Sequence, residues 1–193
     1  MILRTGLGAI FLIACTNFVQ ADGAISKIIT KTDQAKLDGY EENRSAAVDA
    51  ARKGGAPADV MQLEEILARP RLAFSENFDM TGEWKCRTIK LGKEPALVIY
   101  QWFKCRVTDD GSGWMLEKTS GSQRTKGRFY TESDTRLTYL GVGYVSGEMP
   151  GKYGGGPDVD QTGYAYRTGK DEFHIEFPEP ARESLLDILE LKR

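Results

Sequence analysis

Two stretches of alternating residues, each with one cysteine, constrain what this chain can fold into more than anything else in it. Gly82-Glu83-Trp84-Lys85-Cys86-Arg87-Thr88-Ile89-Lys90-Leu91 and Tyr100-Gln101-Trp102-Phe103-Lys104-Cys105-Arg106-Val107 change character every second residue. That period belongs to β-strands with one face turned inward. Treated as a directly opposed antiparallel pair, Cys86 and Cys105 set a register in which Trp84 faces Val107 and Thr88 faces Phe103. Trp84, Cys86 and Thr88 then share an inward face with Ile99, Phe103, Cys105 and Val107. A disulfide there closes a loop of about 20 residues and adds roughly 3 kcal/mol in the chain-entropy model. A redox role is disfavoured because the two cysteines do not form a C-x-x-C arrangement.

The same register predicts a basic outer face. Lys85 is expected opposite Arg106 and Arg87 opposite Lys104, and Arg124, Lys126 and Arg128 share one parity further on. Like charges directly across a ladder are unfavourable. Two readings stay open. Acids of the upstream helical region (Asp38, Glu41, Glu42, Glu64, Glu65) cover the face, or it docks an anionic envelope component such as phospholipid headgroups or acidic polysaccharide.

Turn chemistry divides residues 83–192 into eight candidate strands, about 83–91, 97–108, 113–119, 124–131, 136–141, 161–167, 172–178 and 184–192. The last also fits a short helix. Consecutive hairpins predict a mainly β, α+β fold, an eight-stranded antiparallel up-and-down barrel. Trp84, Ile99, Phe103, Phe129, Tyr139, Phe173 and Ile175 are expected inside, either filling the barrel or enclosing a small apolar ligand. The glycine-rich stretch 141–163 is a lid over one end or a surface loop.

Upstream of the strands, apolar residues recur at helical spacing. Thr32 is the expected N-cap of a helix bearing Leu37, Tyr40, Ala47, Val48 and Ala51, stopped at Gly54-Gly55. Pro57 opens a second helix with Val60, Leu63 and Leu67 on one side, closed by Pro70. Residues 22–69 thus read as a helical hairpin packed on a barrel domain, 70–193. Residues 1–21 resemble a secretory signal, with a short positive start and an apolar run too short for the ~20 residues of a membrane span. Two processing points compete. Release after Ala21 gives a periplasmic or secreted protein. A lipobox at Leu12-Ile13-Ala14-Cys15 makes Cys15 the lipidated N-terminus of an envelope-anchored one. The pairing of the remaining Cys86 and Cys105 suits an oxidising compartment.

Familiar chemistry is hard to find. The net charge of −2 provides no global attraction to nucleic acid. His174 is the only histidine and is expected outward and exposed between Glu172 and Glu176. No zinc or haem set, phosphate loop or nucleophile elbow can be assembled. A carboxylate-only calcium site at Asp158, Asp160 and loop carbonyls stays open, although the spacing lacks the full EF-hand pattern. No catalytic, metal or cofactor residue is therefore assigned. The polar cluster Ser122-Gln123-Arg124 is the first candidate for a ligand contact at a barrel rim.

Cys86-Arg87-Thr88-Ile89-Lys90-Leu91-Gly92, Trp102-Phe103-Lys104-Cys105-Arg106-Val107, Gly121-Ser122-Gln123-Arg124-Thr125 with Gly127 and Tyr130, and Glu183-Ser184-Leu185-Leu186-Asp187-Ile188-Leu189-Glu190-Leu191 resemble, in that order, the bacterial domain-of-unknown-function family 4893. The resemblance covers nearly all of the chain after the signal. It implies an exported bacterial envelope protein and carries no activity. Gly82-Glu83-Trp84, after a helical lead, also resembles the Gly-x-Trp start of lipocalin-type barrels. The functional expectation is an exported, monomeric, non-catalytic binding module for a small apolar or anionic ligand. A structural or inhibitor-type partner of another envelope protein and an unrecognised hydrolase stand as alternatives.

Overall fold

The computed structural model describes residues 25–74 and 78–193. The expected signal segment and Cys15 lie outside the described residues. Among the described residues three helices, α1 (Lys31–Asp38), α2 (Tyr40–Gly54) and α3 (Pro57–Leu67), precede nine strands: β1 (Gly82–Leu91), β2 (Leu97–Ile99), β3 (Phe103–Asp109), β4 (Trp114–Lys118), β5 (Gln123–Ser133), β6 (Arg136–Val145), β7 (Asp160–Arg167), β8 (Glu172–Pro178) and β9 (Leu186–Lys192). From β3 each strand pairs antiparallel with the next, and β1 closes the sheet by pairing with both β3 and β9. The result is an eight-stranded up-and-down barrel, with β2 as a ninth strand outside the closed circuit. The stretch 97–108, expected as one strand, is interrupted at Tyr100-Gln101-Trp102. Its first piece pairs with the end of β1 and its second with the start. The C-terminal stretch is a strand, in register with β1 from Leu91↔Leu186 to Lys85↔Lys192.

The barrel has two cores because both parities of β1 and β9 are apolar. The interior holds Trp84, Cys86, Cys105, Val107, Leu116, Phe129, Tyr139, Phe173 and Ile175, with Phe78 and Met80 closing the end where β1 starts. Edge-to-face contacts such as Trp84 against Phe173, centroids 4.8 Å apart, fill this half. Outside, Ile89, Leu91, Leu97, Leu186 and Ile188 pack against Ala47, Val48, Ala51, Leu63 and Ile66 of α2 and α3. Each large apolar side chain buried there contributes about 1.5–3 kcal/mol. The upstream stripe therefore lies on the barrel wall where β1 meets β9.

Several local readings change. The N-cap is Thr30, whose Oγ1 accepts from the Asp33 N–H at 3.1 Å, and Gly39 separates α1 from α2. Cys86 and Cys105 are bonded, with Cα atoms 5.8 Å apart, yet they are not directly opposed. Trp84 sits across from Cys105 and Cys86 across from Phe103. The register is two residues away from the expected one. The bond runs along a diagonal that strand twist brings together, and the shift leaves the inward parity of β1 and β3 unchanged, whereas Ile99, expected inside, pairs with Ile89 and packs with the outer cluster.

The glycine-rich stretch is shorter than expected because β6 runs to Val145 and β7 begins at Asp160. It is tied to the barrel wall. Asp160 Oδ1 accepts from the N–H groups of Gly154 and Gly155, both at 3.0 Å, and Oδ2 accepts from Gly156 at 3.1 Å. Tyr153 donates to Asp33 on α1 at 2.7 Å. Both Asp160 oxygens thus serve backbone donors of the glycine-rich stretch. Asp160→Ala should speed amide exchange in residues 153–159 by about tenfold or more while leaving the barrel strands protected, as loss of charge-assisted hydrogen bonds to one loop predicts. Hydrogen-exchange mass spectrometry reads this directly.

Candidate functional site

The interior parity that carries Trp84, Cys86 and Leu116 turns polar at the other end of the barrel. Thr88 and Lys90 follow on β1, Lys118 ends β4, Gln123 and Thr125 open β5, Gln161 lies near the start of β7, and Asp187 precedes Leu189 on β9. Lys90 and Lys118 are each only 6% exposed. The end is roofed by residues 179–185. Glu179 and Glu183 of that segment hold left-handed backbone angles, φ 45° and 67°. Such angles are costly outside glycine and tend to mark functional segments.

Three adjoining cavities of about 150, 60 and 180 Å³ open here, and all three are lined by Gln123. Arg124, Gln161 and Asp187 line the first two, and Lys118 lines the second and third. Ser122 borders the third. The expected rim cluster Ser122, Gln123 and Arg124 therefore does reach a concave polar site. Arg124 Nη2 also donates to Ser146 at 2.9 Å, fixing it against the end of β6.

The charges around the mouth are unevenly matched. Lys90 Nζ donates to Glu183 Oε2 at 2.7 Å, a carboxylate supplied by the strained roof. That contact holds Glu183 below the usual carboxylate range. Lys118 Nζ donates to the Gln123 carbonyl at 2.9 Å and sits 4.5 Å from the Phe103 ring centroid. It makes no ion pair with a carboxylate among the described residues. Burial, then Lys90 and Arg124, lower its pKa to about 8. Burial likewise raises Asp187 to about 6, against a hydrogen bond from Ser184 and the field of Lys90. The Gln161 Oε1 atom is buried without a hydrogen-bond partner among the described residues. A buried cation without an ion-pair partner, next to an arginine, favours a small anion, and the unpartnered Gln161 oxygen favours a hydrogen-bond donor on it.

The outer basic face is arranged differently from expectation. With the register shifted by two, Arg106 faces Glu83 and pairs with it, and Lys85 faces Lys104. Arg87 faces Glu190 on β9, donating to it at 2.6 Å and also to Gln62 of α3. Lys126 pairs with Glu117 and Arg128 with Asp110. The compensating acids come mostly from neighbouring strands and turns, and Glu64 of the helices is engaged by Arg52. Lys85 and Lys104 remain exposed, and Lys85 also faces Lys192.

His174 points out of the barrel as expected but is buried, 5% exposed, because the helical region covers this wall. Its Nε2 lies 3.2 Å from Glu176 Oε1 without hydrogen-bond alignment. Glu176, with no exposed surface, accepts from Tyr40 Oη at 2.6 Å and Arg44 Nε at 2.7 Å. This cluster fastens α2 to β8.

The model of the family described as Domain of unknown function (DUF4893) matches residues 26–191, from just before α1 to the penultimate residue of β9. The chain belongs to the DUF4893 family. No curated protein and no solved structure matches it. The DUF4893 match spans the helices, the barrel and every residue of the polar mouth, so the mouth is built wholly from family sequence. Among the described residues no group of three or more His, Cys, Asp or Glu is placed to hold a metal ion. Nor is any described helix long and apolar enough to cross a membrane.

Proposed function

We propose that this DUF4893 chain is an exported envelope binding module that takes a small anionic ligand into the polar mouth of its barrel. The observation that carries this reading is Lys118, a buried ammonium at a cavity wall with a backbone carbonyl as its acceptor and no carboxylate partner among the described residues. Of the two ligand classes expected from sequence, the anionic one gains support. The aromatic half of the interior is packed by its own side chains, and the cavities lie where the lining is polar. Their size suits a molecule of a few heavy atoms rather than an acyl chain. Export is supported by the apolar N-terminal sequence and by the buried disulfide, a bond that persists in oxidising compartments.

The test is a calorimetric and thermal-shift screen of the purified chain against small carboxylates and inorganic phosphate. Lys118→Met keeps the volume and removes the charge, and should weaken binding about tenfold or more, since hydrogen bonds to charged groups contribute roughly 1.5–3 kcal/mol. An unchanged affinity in that variant, or no ligand in the millimolar range, would overturn the reading. The pH dependence has a definite sign. Asp187 becomes neutral below about 6 and Lys118 becomes neutral above about 8. Affinity for a carboxylate that stays ionised should therefore rise as pH falls from 7 to 5.5 and decline above 8.

A further inference from the structure

The two lysines of the mouth are not equivalent, and the difference points to chemistry as well as binding. Lys90 is neutralised by Glu183. Lys118 is buried, rests against the Phe103 ring, and lines two of the cavities at the mouth, sharing the wall of one with Arg124. Burial together with a neighbouring positive charge is the arrangement that leaves a lysine amine free to act as a nucleophile. Asp187 lines the same 60 Å³ cavity as Lys118, and its oxygen is held by the Ser184 hydroxyl. Arg124 lines that cavity too and is suited to hold a carboxylate.

We infer that Lys118 captures a small 2-oxo acid covalently, as an imine between its Nζ and the ligand's carbonyl carbon. This rests on the reading of the mouth as an anion site. In the step, the Nζ lone pair forms a bond to the carbonyl carbon while the C=O π electrons move to oxygen, which takes up one of the two Nζ protons. The protonated Asp187 carboxyl gives its proton to the resulting hydroxyl, which leaves as water. The nitrogen returns a proton to Asp187. Amine plus carbonyl yields imine plus water, with no oxidant or reductant required. A carboxyl that is half protonated near pH 6, with an amine freed near pH 8, allows both roles in neutral solution.

The experiment incubates the full chain with pyruvate or glyoxylate, reduces with cyanoborohydride, and locates the adduct by intact-mass and peptide mass spectrometry. The expected result is one equivalent of adduct, the mass of the acid less one oxygen atom, on Lys118. It should form about tenfold or more faster than on exposed lysines such as Lys85 and Lys104. Peptide mapping needs no variant. Lys118→Met, checked for an unchanged circular dichroism spectrum, should abolish the fast adduct, whereas Asp187→Asn should slow its formation and remove its acid limb. Adducts scattered over surface lysines overturn the inference. Reversible binding of pyruvate and of lactate, an acid without the 2-oxo group, at the mouth, without an adduct, overturns the covalent step and leaves the anion site standing. Absence of both binding and adduct removes the two together.

Discussion

Replacing Glu176 with alanine should lower folding stability by about 3–5 kcal/mol, the range found when one partner of a buried ion pair is removed. Glu176 has no exposed surface, and its carboxylate joins Tyr40 and Arg44 of α2 to β8. Alanine would leave a half-buried guanidinium without its counter-ion and the Tyr40 hydroxyl without its acceptor. Chemical denaturation of the variant and of Glu176→Gln would measure the loss. A change under about 1 kcal/mol in Glu176→Ala would show that solvent replaces these partners. The pH dependence follows with its own sign. Burial opposes the charge on Glu176, but His174, Arg44 and Tyr40 outweigh it and hold the carboxyl at about 2, below its ordinary 4.5. A carboxyl depressed on folding stabilises fully above its unfolded value and loses that contribution as pH falls through its folded one. The wild-type chain should therefore weaken between roughly pH 4.5 and 2, more steeply than Glu176→Gln.

The second large effect is expected from the disulfide. Cys86→Ala with Cys105→Ala should cost about 2–5 kcal/mol, the usual cost of losing a native disulfide from a small domain. Both sulfurs are fully buried among Trp84, Phe173 and their neighbours, so the substitution also removes packing. Thiol reagents should reach the bond only when the barrel opens. Reduction by dithiothreitol should then track denaturant concentration and be slow in its absence. Rapid reduction of the native protein would contradict the burial seen here.

Much of the barrel was legible from residue order. Period-two alternation and turn residues locate the strands, and the apolar stripe of Leu37, Tyr40, Ala47, Val48 and Ala51 locates the side of the helices that packs down. The exact pairing was not, because parity alone is the same for two registers that differ by two residues. That ambiguity placed Arg106 opposite Lys85 and hid its true partner, Glu83. His174 was misjudged for another reason. Alternation separates the faces of a sheet but does not reveal that the outer face lies beneath helices.

The rim residues Gln123 and Arg124 were identifiable from composition, whereas Lys90, Lys118 and Asp187 were missed. All three sit on the inward parity of their strands, and a charged residue on a core parity is the signal that finds them. It was obscured on β1 and β9 because Ile89, Leu91, Leu186 and Ile188 make the opposite parity equally apolar. Only the three-dimensional arrangement shows which of the two apolar faces is the interior.

The pairing of β1 with β9 also has a consequence in time. Asp187 comes from the last strand to emerge during synthesis, Lys90 from the first, and the register Lys90↔Asp187 joins them across almost the whole barrel sequence. Pairing so distant in sequence is slow because loop closure must precede any gain from contact. The mouth is therefore complete only once β9 has paired with β1. Occupancy of the mouth by an anion would act as a seal on the finished barrel, since whatever holds Lys118 and Asp187 together also holds the final strand in place.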